Sequence, residues 1–157
     1  MIRMLASLAR SFGYAAQGIW RSVREERNLR IHLCAVFFVS WFAFLYEIPK
    51  SHWLILILLL IIVSALELVN TAVENAVDLS SADRHPLAKN AKDAAAGAVL
   101  VAAVGSVVCA VILFSDPEGW GRVGAKLQSP LRLILLLALI ATALFFIHGM
   151  PTGRSEK

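Results

Sequence analysis

The sequence predicts an all-α integral membrane protein, and three features of the chain indicate that fold class. Of its 157 residues, 59% are hydrophobic and only 17% are charged, whereas a soluble domain carries about 25% charged residues. The mean hydropathy is +0.71. The apolar residues also gather in four long runs. We therefore expect an N-terminal amphipathic surface helix followed by four membrane-spanning helices.

The first 30 residues carry six arginines and no long apolar run, so they lack the pattern of a cleaved signal peptide. Apolar side chains recur in this segment at helical spacing, at Ile2, Leu5, Leu8, Phe12, Ala16 and Ile19. This pattern is typical of a basic amphipathic helix lying on the membrane surface. An ordinary packing helix of a soluble protein is the alternative interpretation.

The four apolar runs cover residues 31–46, 53–78, 94–114 and 131–150. A spanning helix needs about 20 residues, so the last two runs qualify by length. Arg30 and His32 could snorkel at the start of the short first run. The second run would be about 39 Å long as a helix, so its last turns should project beyond a hydrocarbon core of about 30 Å. Residues 115–130, rich in Gly and Pro, predict an external loop.

The distribution of cationic residues predicts the orientation of the spans. Eleven Lys and Arg residues fall in the N-terminal segment, the 79–93 loop and the C-terminal tail, and four fall on the opposite side. Cytoplasmic segments carry the excess of Lys and Arg, so both ends should face the cytoplasm. Cys34 and Cys109 lie inside apolar runs, where free cysteine behaves as a small hydrophobe, and we predict neither a disulfide nor a metal site from them.

Four polar residues in the second half of the second run carry most of the functional signal. Glu67, Asn70, Glu74 and Asp78 are spaced three, four and four residues apart. At about 100° per residue they form one stripe along a helix, which we call the acidic column. Charged residues inside a membrane are costly and usually face a protein interior or a cavity.

Two interpretations of the acidic column differ in what relieves its charge. The polar side chains could hydrogen-bond to neighbouring helices and hold them together. Cations would still be needed to offset the repulsion between several carboxylates. The alternative is a divalent-cation site, because Mg²⁺ takes one or two carboxylates together with substrate phosphates. Glu74, nearer the cytoplasm, is the better metal ligand. Glu67, deeper among apolar neighbours, suits a general base that accepts a proton from a hydroxyl held in the bilayer.

Two further charged segments lie on the same predicted side of the membrane. The loop after the column supplies possible phosphate partners, Arg84, His85, Lys89 and Lys92, and Asp93 is a favoured type of residue for capping the third helix. Before the first span, Glu25 or Glu26 could add a metal carboxylate. Each segment, taken alone, also fits an ordinary solvated loop or helix junction. No P-loop or zinc-ligand spacing is present.

Several spaced motifs resemble the prokaryotic diacylglycerol kinase and undecaprenol kinase family. They are SFGYAAQG at 11–18, EERNLRIH at 25–32, ELVNTAVENAVD at 67–78, HPLAKNAKD at 85–93 and AAGAVLVAA at 95–103. The resemblance covers roughly residues 10–114. It implies an ATP- and Mg²⁺-dependent membrane kinase that phosphorylates a lipid alcohol, with a surface helix, three spanning helices and shared active sites in a homotrimer at the cytoplasmic face of the cell inner membrane.

The resemblance also implies roles for individual residues. Glu67 would be the general base, and Glu26 and Glu74 would hold Mg²⁺ with the ATP phosphates. The nucleotide site would be lined by Tyr14, Asp83, Arg84, His85, Lys92 and Asp93, with Asn70 and Asp78 supporting the constellation. Residues 1–114 would form the kinase domain, and residues 115–157 would add a loop and a fourth hydrophobic helix that usual members lack. The motifs favour undecaprenol as substrate, with diacylglycerol second.

Two other function classes predict different distributions of charge. An ion or proton transporter would carry acidic residues at mid-depth on several helices, but the first, third and fourth runs carry none. A purely structural membrane subunit would not need a Lys- and Asp-rich loop beside the acidic column. The sequence thus favours the lipid kinase.

Overall fold

The computed structural model describes residues 2–80 and 85–150, with side chains from residue 4 onward. This part of the chain forms six α-helices and no strand: α1 (Ile2–Glu25), α2 (Arg27–Tyr46), α3 (Lys50–Ser80), α4 (Pro86–Leu113), α5 (Pro117–Leu127) and α6 (Pro130–His148). Four of these helices, α2, α3, α4 and α6, are long and apolar enough to cross a membrane. The predicted all-α integral membrane fold is confirmed.

The helices pack around α2 and α3. The α3 and α4 helices form the most extensive contact, α2 packs against α3, and both α5 and α6 lie against α2. Among the described helices, α1 contacts α2 and α3, and most of its side chains are exposed. The acidic column therefore lies on a helix that α2 and α4 cover from two sides.

The N-terminal helix is shorter than the predicted surface helix of residues 1–30. It ends at Glu25, because Glu26 adopts an extended conformation with φ −108° and ψ 116° and becomes the N-cap of α2. The first span then begins at Arg27 and contains 20 residues, which is enough to cross a hydrocarbon core of about 30 Å. Residues 27–30 were predicted to precede the first span, whereas in the structure they form the first turn of its helix.

The third span begins at Pro86, eight residues before the predicted Ala94. His85 is its N-cap, and the His85 ring accepts a hydrogen bond from the Leu87 N–H at 3.2 Å. Proline is favoured at the first helical position because its missing N–H has no partner to lose there. The prediction that Asp93 caps this helix is wrong, since Asp93 lies inside α4 and pairs with Lys89.

The prediction that residues 115–130 form a loop is wrong, because they contain α5. Asp116 caps this helix by accepting hydrogen bonds from the N–H groups of Glu118 and Gly119 at 3.1 and 3.2 Å. Pro117 occupies its first turn. The three glycines and two prolines predicted a loop, but proline is favoured at the first position of a helix. The segment therefore contains a short amphipathic helix.

The α5 helix covers an aromatic cluster at the end of α2. The centroid of the Trp120 ring lies 5.3 Å from the ring centroid of Phe42 and 6.0 Å from that of Tyr46. Arg122 donates to the Tyr46 carbonyl at 3.0 Å, and Lys126 donates to the Leu45 carbonyl at 3.1 Å. These bonds satisfy carbonyl groups at the C-terminal end of α2, which lack partners within the helix.

Glu47, the residue after α2, adds an acidic partner to these cations. A hydrogen bond from Lys126 and the charges of Lys126 and Arg122 lower the pKa of Glu47 below its ordinary value. Glu47 has a left-handed backbone with φ 62°, so the chain reverses here directly under α5. The connection between the first two spans is therefore ordered by the segment that follows the third.

Gly119 is required by the close approach of α5 to α2, and we expect Gly119→Ala to destabilise the protein. A Cβ atom at this position would overlap the Tyr46 ring. Overpacking of this kind costs about 1–3 kcal/mol. Gly121→Ala is the matched control, because a Cβ there meets no atom within 4 Å and alanine favours helix over glycine by about 1 kcal/mol. Thermal unfolding in detergent should show a lower Tm for Gly119→Ala alone, and equal values would refute the packing argument.

Candidate active site

The acidic column extends from the protein interior to the surface along α3. Glu67 is 3% exposed and Asn70 is 6% exposed, whereas Glu74 is half-buried and Asp78 is exposed. The exposure of these polar side chains thus increases along the helix from Glu67 to Asp78. The predicted stripe is present, and its deep end is enclosed by protein.

Residues of α2 surround the deep end of the column. The Asn28 amide lies beside the Glu67 carboxylate, and His32 Nε2 lies 4.0 Å from Glu67 Oε2. Glu26 and Glu74 are both close enough to Glu67 for their charges to interact with it. The structure therefore brings together three predicted carboxylates, one from the start of α2 and two from α3.

Hydrogen bonds within α3 orient the column. The Asn70 side chain donates from Nδ2 to Glu74 Oε1 at 3.1 Å, and the Thr71 hydroxyl donates to the Glu67 carbonyl at 3.1 Å. The other Asn70 side-chain atom, Oδ1, is buried and has no hydrogen-bond partner among the described residues. A buried polar atom without a partner costs about 1–3 kcal/mol, so the site presents an acceptor that a ligand can satisfy.

The donor atoms fit a hard cation that is shared with phosphate. In the described part of the chain, no group of three or more His, Cys, Asp or Glu side chains could hold a metal ion alone. Mg²⁺ does not need such a group, because it is usually bound by one or two carboxylates together with substrate phosphates and water. The carboxylates of Glu26 and Glu74 and the unpartnered Asn70 oxygen supply oxygen donors of the required type.

The predicted nucleotide residues are only partly brought to the column. Lys92 of α4 forms an ion pair with Asp78, which places a cation at the exposed end of the column. Asp93 pairs with Lys89 instead, and His85 caps α4. Tyr14 is 69% exposed on α1 and makes no hydrogen bond to the column within the described residues. The predictions for Asp83 and Arg84 lie outside the described residues.

Asn28 and His32 are site residues whose contacts with Glu67 the sequence analysis missed. They are four residues apart and so share one face of α2, and this is the face that meets Glu67. The signal was available in the sequence as two polar residues at helical spacing beside an apolar run. Asn28 preceded the predicted first span and His32 was expected to snorkel at its start, so neither was assigned to the acidic column.

An apolar cavity of about 210 Å³ lies beside the deep end of the column, between α2, α3 and α4. His32 and Ser64 contribute polar atoms to it, and the lining is otherwise dominated by Ala, Val and Leu side chains such as Val36, Leu60 and Val107. Since His32 also faces Glu67, the cavity and the carboxylate share one wall. A hydrocarbon chain in this cavity could therefore place an attached polar group at Glu67.

Comparisons with known proteins match the region that contains this site. The family model of prokaryotic diacylglycerol kinases matches residues 13–114. The undecaprenol kinase of Bacillus subtilis is 47% identical over 105 residues, which cover 67% of this chain and 85% of the relative. The diacylglycerol kinases of Synechocystis and Pseudomonas aeruginosa are 41% and 33% identical, over 68% and 62% of this chain and 62% and 80% of the relatives. No solved structure matches the chain.

Proposed function

This chain belongs to the prokaryotic diacylglycerol kinase family, and we propose that it transfers the γ-phosphate of ATP to the hydroxyl of a lipid alcohol, with undecaprenol as the preferred substrate. The observation that supports this most directly is the position of Glu67. Its buried carboxylate is the inner end of a polar column that reaches the surface, and it lies 4.0 Å from His32, which lines an apolar cavity. A lipid alcohol has the same two-part character, an apolar chain that ends in a reactive hydroxyl.

In the proposed reaction, Glu67 is the general base. It accepts the hydroxyl proton as the lipid oxygen bonds to the γ-phosphorus, and the bond from that phosphorus to the bridging oxygen breaks to release ADP. Asn28 and His32 of α2 lie beside the Glu67 carboxylate and would hold it in position. General-base catalysis of this kind contributes about 10²–10⁴-fold to a rate.

Glu26 and Glu74 are the proposed ligands of Mg²⁺, which when bound would neutralise charge on the ATP phosphates. Asn70 orients Glu74 through their hydrogen bond, and Asp78 holds Lys92 at the open end of the column. The proposed nucleotide-binding residues are Tyr14, Asp83, Arg84, His85, Lys92 and Asp93. Residues 1–114 form the proposed kinase domain, and residues 115–157 are an addition to it.

The choice of undecaprenol rests on the relative that shares 47% identity with the chain and is named an undecaprenol kinase. Diacylglycerol is the second candidate, because the relatives at 41% and 33% identity are named diacylglycerol kinases. A competition assay separates the two. With equal mole fractions of undecaprenol and diacylglycerol in mixed micelles, we expect undecaprenyl phosphate to be the main product. Phosphatidic acid as the main product would reverse the assignment.

We further propose that the enzyme acts as a homotrimer with shared active sites in the bacterial cytoplasmic membrane, with the acidic column facing the cytoplasm. The excess of Lys and Arg in the N-terminal segment and in residues 79–93 supports this orientation. ATP would then reach the column directly from water, while the lipid would approach from the bilayer.

The proposed orientation predicts which residues an impermeant thiol reagent can label. In a background with Cys34 and Cys109 replaced by alanine, Gly121→Cys on α5 should be labelled from outside intact cells. Asn90→Cys on the first turns of α4 should be labelled only after the membrane is opened. Both positions are exposed in the described structure, so burial does not explain a difference. The reverse pattern would place the proposed ATP site on the wrong side of the membrane.

A further inference from the structure

Arg30, in the first turn of α2, is the largest fully buried side chain in the described part of the protein, with 0% of its surface exposed. A buried cation is strongly unfavourable unless its donors are paired. Its guanidinium donates to four backbone carbonyls. The pattern of those bonds connects the proposed kinase site to a helix beyond residues 13–114, the region that the family model matches.

Two of the four carbonyls belong to the end of α1. Arg30 Nη1 donates to the carbonyl oxygens of Val23 and Arg24 at 3.1 and 2.9 Å. The other two belong to the end of α6 and the residues after it. Arg30 Nε donates to the Ile147 carbonyl at 3.3 Å, and Nη2 donates to the Met150 carbonyl at 3.4 Å. One side chain thus joins the C-terminal ends of two helices that are far apart in sequence.

Both helix ends have a physical reason to share this cation. The last four carbonyls of a helix lack partners within it, and the C-terminal end carries a partial negative charge that a cation stabilises. Arg27 adds a second link on the surface, with its Nη2 3.3 Å from Nε2 of His148. The C-terminal end of α6 is therefore fixed to the first turn of α2.

The same turn of α2 carries Glu26, a proposed metal ligand. Glu26 is the single extended residue between α1 and α2, so the angle between these helices determines where its carboxylate lies. Its N–H donates to the Ser22 carbonyl at 2.8 Å, and its carbonyl accepts from the Arg30 N–H at 3.4 Å. Contacts that fix the end of α1 relative to the start of α2 therefore also fix the position of Glu26 near Glu67.

We propose that α6 is a working part of the kinase site, and that Arg30 is a positioning residue that fixes Glu26 by binding the ends of α1 and α6 together. The role of Glu26 in this inference rests on the proposed function. The additional C-terminal helix and the residues directly after it would then supply two of the four carbonyl groups that set the geometry of the metal site. Arg30 touches neither substrate nor metal in this account.

The test measures metal binding and helix geometry in the full-length protein, independently of lipid phosphorylation. Mn²⁺ affinity is measured by electron paramagnetic resonance with a non-hydrolysable ATP analogue, and a distance is measured between spin labels at the exposed positions Gln17 on α1 and Thr142 on α6. Arg30→Gln should weaken Mn²⁺ binding by about 10–100-fold, as loss of a group that orients a metal ligand typically does. It should also broaden the distance distribution.

Two further variants isolate the contribution of α6. Arg27→Gln is the matched control on the same turn, because it removes only the surface link to His148 and should change Mn²⁺ affinity less than twofold. Gly149→Val disturbs the α6 end without altering α1 or α2, because a Cβ there would lie 2.6 Å from the Phe145 carbonyl oxygen. We expect it to weaken Mn²⁺ binding by about tenfold, and it provides the decisive result if Arg30→Gln does not fold.

Unchanged Mn²⁺ affinity in folded Arg30→Gln or Gly149→Val would overturn the proposal, even if either variant melted at a lower temperature. A lower temperature alone would mean that the contact only stabilises the fold. A wild-type protein that bound Mn²⁺ but phosphorylated no lipid would refute the proposed function, while the distance and affinity measurements would still decide the role of α6.

Discussion

Replacing Glu67 with glutamine is expected to lower kcat by about 10²–10⁴-fold, the usual contribution of a general base, while leaving Mg-ATP binding close to that of the wild type. Glu67 precedes Glu74 by seven residues, so it lies about 10 Å further along the α3 axis. That depth suits a hydroxyl whose chain occupies the apolar cavity beside His32. Loss of a group that acts in the chemical step lowers kcat without changing ground-state binding.

The measurement combines a lipid phosphorylation assay with calorimetric titration of a non-hydrolysable ATP analogue. Glu118→Gln is a suitable control, because its carboxylate is exposed on α5 and far from the column in sequence. Loss of nucleotide binding in Glu67→Gln would make Glu67 a metal ligand. Full activity would favour the alternative interpretation, in which the side chains of the acidic column only hydrogen-bond to neighbouring helices.

Glu74→Gln is expected to abolish detectable activity and to weaken Mn²⁺ binding in the presence of the ATP analogue. Glutamine preserves the size of the side chain and still offers an oxygen to the Asn70 amide, which now donates to Glu74 at 3.1 Å. The substitution therefore removes the negative charge with little change in packing. Mg²⁺ requires hard oxygen donors, and a carboxylate is a stronger ligand than a neutral amide for this ion.

Glu25→Gln is the matched control for Glu74→Gln. It removes a carboxylate one residue away from Glu26, but Glu25 pairs with Arg21 on the exposed side of α1 at 2.9 Å. Its activity and Mn²⁺ affinity should stay within about twofold of the wild type, as expected for a surface ion pair of small energetic value. Near-normal turnover of Glu74→Gln at saturating Mg-ATP would show that Glu74 is not a metal ligand.

The membrane fold and the acidic column were predictable because each depends on local spacing. Long apolar runs specify spanning helices, and the intervals between Glu67, Asn70, Glu74 and Asp78 place them on one face whatever surrounds them. The helix starts were less predictable, because capping competes with hydrophobicity. His85 and Pro86 start α4 among polar residues, where an apolar pattern gives no signal.

Contacts between distant segments were not predictable from spacing. The approach of His32 to Glu67 depends on how α2 packs against α3, and the burial of Arg30 depends on an α6 end that lies about 120 residues later in the chain. An arginine at a predicted membrane junction normally indicates an exposed or snorkelling side chain. Only the tertiary structure shows that Arg30 instead satisfies carbonyl groups at two helix ends.

The most direct test of the account is recovery of radiolabel from γ-labelled ATP in the lipid extract of a reaction with purified, folded protein and undecaprenol. We expect labelled undecaprenyl phosphate in the presence of Mg²⁺ and none after EDTA is added. No labelled lipid with undecaprenol, shorter polyprenols or diacylglycerol, from protein whose helical content and melting behaviour are intact, would contradict the assignment of this chain as a lipid kinase.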